Sequence, residues 1–406
     1  LIKEKITIIG GGASGFFAAI NIALNNPEIE IEILEKSTKL LSKVKISGGG
    51  RCNVTHNCPD NNLLTLNYPR GNKELKQLFA LYNVTDTITW FEKQGIKLKI
   101  EEDGRMFPYS NDSQSIIDCF LNLTKKLKIK ITTQCEVFAI KQNLNSFEIK
   151  TNKGIVISNK IICCIGGHYN SGHYQFIKNI GHTIKEPIPS LFTFNLNKHL
   201  INKSLQGISV NNVEIKLNNF NLKSNGAMLI THWGFSGPAI LKLSAFAAKE
   251  LANCNYSTNF TINWLGGLRL TEIETLIFDL QKNKLNALPY SNPLNNLPKR
   301  LWEFLCSQAQ INNDITLGSI PKKQLIKLAE IIYRNEFAMH GKTTFKEEFV
   351  TCGGVDLKEI DFKTMQSKLI PNLFFCGEVI DVDGVTGGFN FQNAWSTAWV
   401  CAMACA

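Results

Sequence analysis

The segment Lys5 to Lys36, KITIIGGGASGFFAAINIALNNPEIEIEILEK, constrains the fold of this chain more than any other. A β-branched apolar run enters the triplet Gly10-x-Gly12-x-x-Gly15. That passes into the helical pattern FFAAINIALN, and IEIEIL comes next as a second strand ending at Glu35. A glycine triplet alone is weak evidence. Strand, glycines, helix, strand and terminal acid in this order specify a dinucleotide-binding βαβ unit. Its helix N-terminus, at Gly12, Ala13, Ser14 and Gly15, offers amides to a pyrophosphate, and Glu35 is placed to accept hydrogen bonds from an adenosine ribose.

The stretch beyond this βαβ unit selects the dinucleotide. A simple nicotinamide enzyme continues with more βα units. Here a basic, glycine-rich loop, residues 38–56, comes directly after Glu35 and contains KISGGGRCNVTH. Further on, QCEVFAIKQNLNSFEIKTNKGIVISNKIICCIGG reads as strands joined by polar turns and then a buried strand ending in Gly166 and Gly167. A three-stranded meander feeding back into a parallel sheet is the plan of two-dinucleotide-binding-domain flavoproteins, so FAD outranks NAD as the tightly held cofactor. The residues expected beside it are Lys36, Lys43, Ser47, Gly48, Gly49, Gly50, Arg51, Asn53, Val137, Gly166 and Gly167.

The C-terminal segment LIPNLFFCGEVIDVDGVTGGFNFQNAWSTAWVCA adds a buried strand, an acid at Glu378, and Gly387-Gly388 opening a helix. Gly377, Glu378 and Asp383 are candidates for the ribityl or phosphate region. The helix start at Gly387, Gly388, Phe389 and Asn390 is expected at the N1 and O2 edge of the ring, where reduced flavin gathers negative charge. Asp381 and Asp383 read equally well as turn formers. Trp395 and Trp399, at helical spacing, read as core.

Composition narrows the class. A chain of 406 residues with 44% hydrophobic residues buries two or three domain cores. The formal charge of +10 fits an anionic partner, and equally fits compositional drift toward lysine, asparagine and isoleucine. Twelve cysteines without a CxxC pair or zinc spacing point to reduced thiols, a cytoplasmic protein and no metal. No signal peptide or membrane span is expected, because the apolar run AWSTAWVCAMACA is interrupted and too short.

The stretches GGGASGFFAA, KVKISGGGRCNVTH, DGRMFPYSNDS, THWGFSGPA and VTCGGVDLKEIDFKTMQSKLIPNLFFCGEVIDVDGVTGGFNFQNAWS are similar to motifs of a bacterial NAD(P)/FAD-dependent oxidoreductase family. That family includes aminoacetone-oxidase-like proteins, bile-acid reductases and ribosomal-RNA dihydrouridine synthases. The resemblance runs nearly end to end. It implies an α/β fold in which a Rossmann-like FAD-binding domain is split around an inserted β domain and a helical domain. Two departures concern the substrate: the loop HYNSGHYQF after Gly167 is short, and His56 stands where asparagine is usual.

The expected domains are an FAD-binding domain at 1–190 and 346–406, a β domain at 191–270 completed by 338–350, and a helical domain at 271–337. Alternation in VNNVEIKL and FTINWLG supports strands, and THWGFSGPAILKLSAFAAKEL reads as a glycine turn entering a helix. Thr271 to Glu274 matches a capping box. In the helical segment Lys299, Arg300, Lys322, Lys323, Lys327 and Arg334 form either a phosphate-binding face or an ordinary solvated one.

Two candidates for proton transfer stand out. Cys52, in the glycine loop, has an ordinary pKa suited to giving a proton near neutrality, although a small packed thiol explains it as well. His232, with Ser236 in THWGFSGPA, is the second candidate, and a satisfied turn histidine is its plain alternative. No Ser-His-Asp arrangement is visible.

Three functional classes remain. The first is reduction of an activated C=C bond, with uridine in 23S ribosomal RNA converted to dihydrouridine. The second is a small-molecule oxidase or reductase acting on an amine or enone. The third is a flavin-binding assembly factor without turnover. The first agrees with the charge and with the resemblance. One dinucleotide unit leaves NADH or NADPH to visit the flavin as a transient donor. Oligomeric state is not legible in the sequence.

Overall fold

The computed structural model describes residues 3–197, 203–343 and 350–406. The chain divides into two compact units, one of residues 1–190 with 346–406 and the other of 191–345.

The first unit is built on a seven-stranded sheet. Strand Lys5–Ile9 lies in parallel register between Glu30–Leu34 and Lys160–Cys163, with Lys130–Thr132 and Leu373–Phe375 outside them. Two short antiparallel strands, Gln366–Ser367 and Ile360–Asp361, finish one edge. Apolar residues dominate Lys5–Ile9 and Lys160–Cys163, as expected where helices cover a parallel sheet, whereas Glu30–Leu34 alternates, and its buried Glu32 is paired with Lys5 and Lys130 at 2.8 Å each. Helix Ala13–Asn25 is buried from Ser14 through Ala23, which its small and aromatic residues permit. Helix Phe389–Cys405 packs against it. Between them Phe17 lies 4.5 Å from Trp90 and 5.2 Å from Trp395, centroid to centroid. Trp395 is fully buried and Trp399 stacks on Tyr82, so both serve packing. The meander Val137–Gln142, Phe147–Thr151, Gly154–Ser158 is antiparallel and runs into Lys160–Cys163.

The second unit is a closed six-stranded barrel in the order Thr193–Leu196, Gly234–Ser236, Leu222–Ile230, Ser209–Leu217, Ser257–Asn263, Asn335–Thr343. Helices Leu270–Asn283, Lys299–Gln308 and Lys322–Tyr333 share one hydrophobic core with it, including Phe194, Phe260, Trp264, Trp302 and Leu328. Strand Asn335–Thr343 closes the barrel, and the rest of the expected 338–350 segment up to residue 349 lies outside the described residues. The capping box expected at Thr271 is displaced: the helix begins at Leu270, and the Glu272 carboxylate accepts the Arg269 N–H at 2.7 Å.

Among the described residues no helix is long and apolar enough to cross a membrane. All twelve cysteines are free thiols.

Candidate cofactor site

The glycine turn after the first strand is shaped by backbone packing. A Cβ on Gly15 would stand 2.0 Å from the Gly10 carbonyl oxygen, and one on Gly10 would stand 2.3 Å from that of Cys164. Helix, strand and neighbouring loop therefore approach one another through bare backbone. Glu35 fastens the turn: one carboxylate oxygen accepts the Gly11 N–H and the other the Ser37 N–H, each at 2.7 Å. Gly11, unremarked within the glycine run, is thus its partner. Each oxygen retains a lone pair for a ribose hydroxyl.

Among the helices that start without a side-chain cap and without an acid in the first turn are Ala13–Asn25 after Gly12 and Phe389–Cys405 after Gly388, each entered through glycines. Their first-turn amides have no intrahelical acceptor, so both ends favour negative charge. Around the glycines there is room: a Cβ on Gly12, Gly49, Gly50 or Gly166 would meet no atom within 4 Å. Gly167 is different, since a Cβ there would press on Thr351 and on the Glu378 carboxylate carbon at 2.8 Å. Glu378 itself accepts the Thr351 N–H at 3.0 Å and pairs with Lys43 at 2.5 Å. Val137 opens the meander two residues beyond Cys135, whose N–H donates to the Glu35 carbonyl. Ser14 donates to the Cys376 carbonyl at 3.4 Å, beside Gly377.

The residues Ala13, Ser14, Glu35, Lys43, Glu378 and the two helix starts fit FAD in charge and in the space beside the glycines. Several expected contacts are used otherwise. Asp383 is fully buried in a bidentate ion pair with Arg70 and accepts from Ser190 at 2.7 Å, so its buried charge is met by a protein cation. Arg51 pairs with Glu101 at 2.5 Å and lies 3.9 Å over the Phe107 ring. Lys36 pairs with Glu136, and Asn390 bonds both the N–H and the carbonyl of Gly384. Ser47 donates to the Val44 carbonyl, and Gly48 sits under Phe107.

The Asn53 side chain is held by the protein itself. Its amide accepts the Gly388 N–H at 3.0 Å while donating to the Thr55 and Met106 carbonyls. The next three residues bond the same C-terminal segment. The Val54 carbonyl takes the Trp395 indole N–H at 2.9 Å, the Thr55 hydroxyl donates to Gln392 at 2.6 Å, and His56 Nδ1 donates to the Gly387 carbonyl at 3.0 Å. His56 also stacks on Phe389, centroids 4.6 Å apart.

Neither proton-transfer candidate keeps its expected setting. Cys52 is fully buried, and burial pushes its thiol up to about 12, which removes the near-neutral pKa that recommended it. Cys52→Ala is expected to retain bound flavin and substrate turnover within about twofold while losing about 1–2 kcal/mol of stability as a small cavity; a turnover loss of 100-fold with flavin intact would restore the catalytic role. His232 is exposed in the turn between Leu222–Ile230 and Gly234–Ser236, beside Trp233, and Ser236 accepts instead from Thr193 at 3.2 Å.

A Ser-His-acid array, not visible in the sequence, does exist. Ser367 Oγ lies 3.0 Å from His182 Nε2, and His182 Nδ1 lies 2.8 Å from Glu359. Ser367 and His182 are each 3% exposed, and the serine oxygen already accepts the Leu369 and Ile370 N–H groups. Burial holds the imidazole below its ordinary value against the pull of Glu359. This relay ties the sheet edge to its neighbours and has no free nucleophile.

The family model described as HI0933-like protein Rossmann domain matches residues 4–404. The chain is 27% identical over 405 residues to a ribosomal RNA dihydrouridine synthase of Escherichia coli (strain K12), covering 98% of this chain and 96% of that protein. It is 26% identical over 414 residues to a 3-dehydro-bile acid delta(4,6)-reductase of Clostridium scindens, covering 99% of each. Among solved structures it resembles in fold the 3-ketosteroid-delta4-(5alpha)-dehydrogenase of Rhodococcus jostii RHA1, in complex with 4-androstene-3,17-dione. The TM-score is 0.52 at 10% identity, over 98% of this chain and 97% of that one.

Proposed function

This chain belongs to the HI0933-like Rossmann family and is an FAD-dependent oxidoreductase, and from that premise we propose that it reduces an activated C=C bond, that of uridine in ribosomal RNA. The observation that carries the chemistry is the two glycine-led, uncapped helix starts after Gly12 and Gly388, together with Glu35 and Glu378, which follow parallel strands of one sheet.

In this reading the first-turn amides of helix Ala13–Asn25 hold the pyrophosphate and Glu35 holds the adenosine ribose. Glu378 and Lys43 lie along the ribityl chain. The amides of Phe389 and Asn390 face the N1 and O2 edge of the ring, where they stabilise negative charge. Reduced FAD, when bound, would supply a hydride to the electron-poor carbon of the alkene, with a proton from solvent completing the other carbon. NADH or NADPH, visiting transiently, is the donor, since the described residues contain one glycine-rich dinucleotide turn.

Two observations support an RNA substrate. One is the name of the Escherichia coli relative, which matches over nearly its whole length. The other is the placement of charge in the second unit. Helices Lys299–Gln308 and Lys322–Tyr333 each come after a proline and open with two exposed cations, Lys299 with Arg300 and Lys322 with Lys323. Cations at a helix N-terminus oppose its dipole, so their placement there favours a role such as holding phosphates. A uracil must be unstacked to present its C5=C6 bond, and phosphate contacts hold such a strand in place.

The Clostridium scindens relative favours a second reading, a small-molecule enone reductase. Nucleoside mass spectrometry of ribosomal RNA from cells with and without the gene separates the two. Loss of one dihydrouridine, replaced by uridine, is the expected result. Unchanged dihydrouridine content would reject the RNA assignment and leave the enone reductase.

A further inference from the structure

The Gly387 carbonyl and the Gly388 N–H are the two ends of a single peptide group, and the loop segment Asn53–His56 holds both. His56 Nδ1 lies 3.0 Å from the carbonyl, which only accepts, so the ring proton sits on Nδ1. Asn53 accepts the N–H of the same peptide at 3.0 Å. Both flanking glycines have positive φ, +128° and +99°, so no side chain of their own restrains this peptide from turning over. The clamp from the other end of the chain supplies the restraint.

Orientation matters because this peptide immediately precedes the amides of Phe389 and Asn390. Clamped, its carbonyl oxygen points to the His56 ring. Turned over, it would bring a partial negative charge toward the helix mouth, where the free amides otherwise leave a positive potential. Reduction adds negative charge to a flavin edge, and oxidised flavin carries less, so the two orientations discriminate between oxidation states.

We propose that His56 and Asn53 are positioning residues whose grip on the Gly387–Gly388 peptide makes this site prefer reduced over oxidised FAD. The proposal rests on placing the flavin ring at the start of helix Phe389–Cys405. It adds a function to the NVTH segment that cofactor contact does not describe.

The test is the midpoint potential of the bound flavin, measured by slow enzymatic reduction against a reference dye, together with flavin content. His56→Phe keeps a ring against Phe389 and removes the N–H donor. It is expected to retain FAD and to lower the preference for the reduced form about tenfold, a shift of about 30 mV to more negative potential for a two-electron couple. His56→Asn offers an amide N–H to the same carbonyl and is expected to stay within about twofold of the unaltered protein. Thr55→Val removes the neighbouring bond to Gln392 without touching the peptide, and its potential is expected to be unchanged.

An unmoved potential in His56→Phe, or the same shift in His56→Asn or Thr55→Val, would overturn the proposal. His56→Leu is a second donor-free variant; loss of FAD from both donor-free proteins, equally in either oxidation state, would assign His56 a merely structural role and also overturn it. Absence of flavin from the unaltered protein would instead overturn the cofactor reading itself.

Discussion

Gly12→Ala is expected to fold with the thermal stability of the unaltered apoprotein and to lose FAD, with the dissociation constant rising at least about 100-fold, or about 2.8 kcal/mol. Gly12 has φ −96°, which alanine adopts without strain, and its Cβ would meet no protein atom within 4 Å. The protein alone therefore has space for the methyl group. In the proposed complex that space belongs to the pyrophosphate, which needs close approach to the backbone. Gly15→Val is the contrasting variant. Its Cβ would collide at 2.0 Å with the Gly10 carbonyl oxygen, a backbone atom that cannot rotate away. It is expected to lose both FAD and stability, the latter by about 1–3 kcal/mol as overpacking. Isothermal titration of apoprotein with FAD, paired with thermal scans, separates the two effects. Unchanged FAD affinity in Gly12→Ala would move the cofactor away from this turn.

The second large effect is expected at Arg70. Arg70→Leu should cost about 3–5 kcal/mol, because it leaves the Asp383 carboxylate buried without its cation. Asp383 is fully buried, and among the described residues the Ser190 hydroxyl remains to donate to it. Burial raises the Asp383 carboxyl above its ordinary value while Arg70 pulls it down, so removing Arg70 leaves burial unopposed by charge. A carboxyl whose folded pKa is raised contributes its stability below the unfolded value and loses it as pH rises through the folded one. The deficit of Arg70→Leu relative to the unaltered protein should therefore shrink as pH falls from 7.5 toward the ordinary carboxylate range near 4. The double variant R70L/D383L should recover most of the loss, since an apolar pair replaces the buried charges together. Urea unfolding at several pH values reads all three. A deficit that is independent of pH and persists in the double variant would mean that the arginine serves packing, not charge.

Both results concern features of very different legibility. The strand, glycine turn, helix and second strand from Lys5 to Leu34 are readable because each is decided within a few residues by apolar periodicity and backbone sterics. The meander, the strand Leu373–Phe375 and the helix after Gly388 are readable for the same reason. Glu35 is legible because its partner lies at a spacing that the βαβ unit imposes, and the structure returns it to the glycine turn through the Gly11 N–H.

Side-chain partners are what the sequence leaves out. The side chains of Asn53, Arg51, Asp383 and Asn390 read as cofactor contacts because they are polar residues beside glycines. Each meets a protein group: Gly388, Glu101, Arg70 and Gly384. Cys52 stands out for its chemistry and lies fully buried. The Ser367, His182 and Glu359 relay is invisible in the sequence because 185 residues separate its serine from its histidine and no spacing rule joins them. A hydrogen-bonding side chain does not carry in its own sequence the identity of the group that will satisfy it.

From the sequence alone came the parallel sheet, the dinucleotide turn with Glu35, and the glycine-led start of the last helix, since local sterics and periodicity determine them wherever they occur. Only the tertiary structure decided what approaches the loop KISGGGRCNVTH. Its last four residues bond helix Phe389–Cys405 and the glycines before it, more than 330 positions away. That pairing depends on how the fold brings the loop and the helix together, and hydrogen bonds at 3 Å are made or lost by displacements that no local pattern encodes.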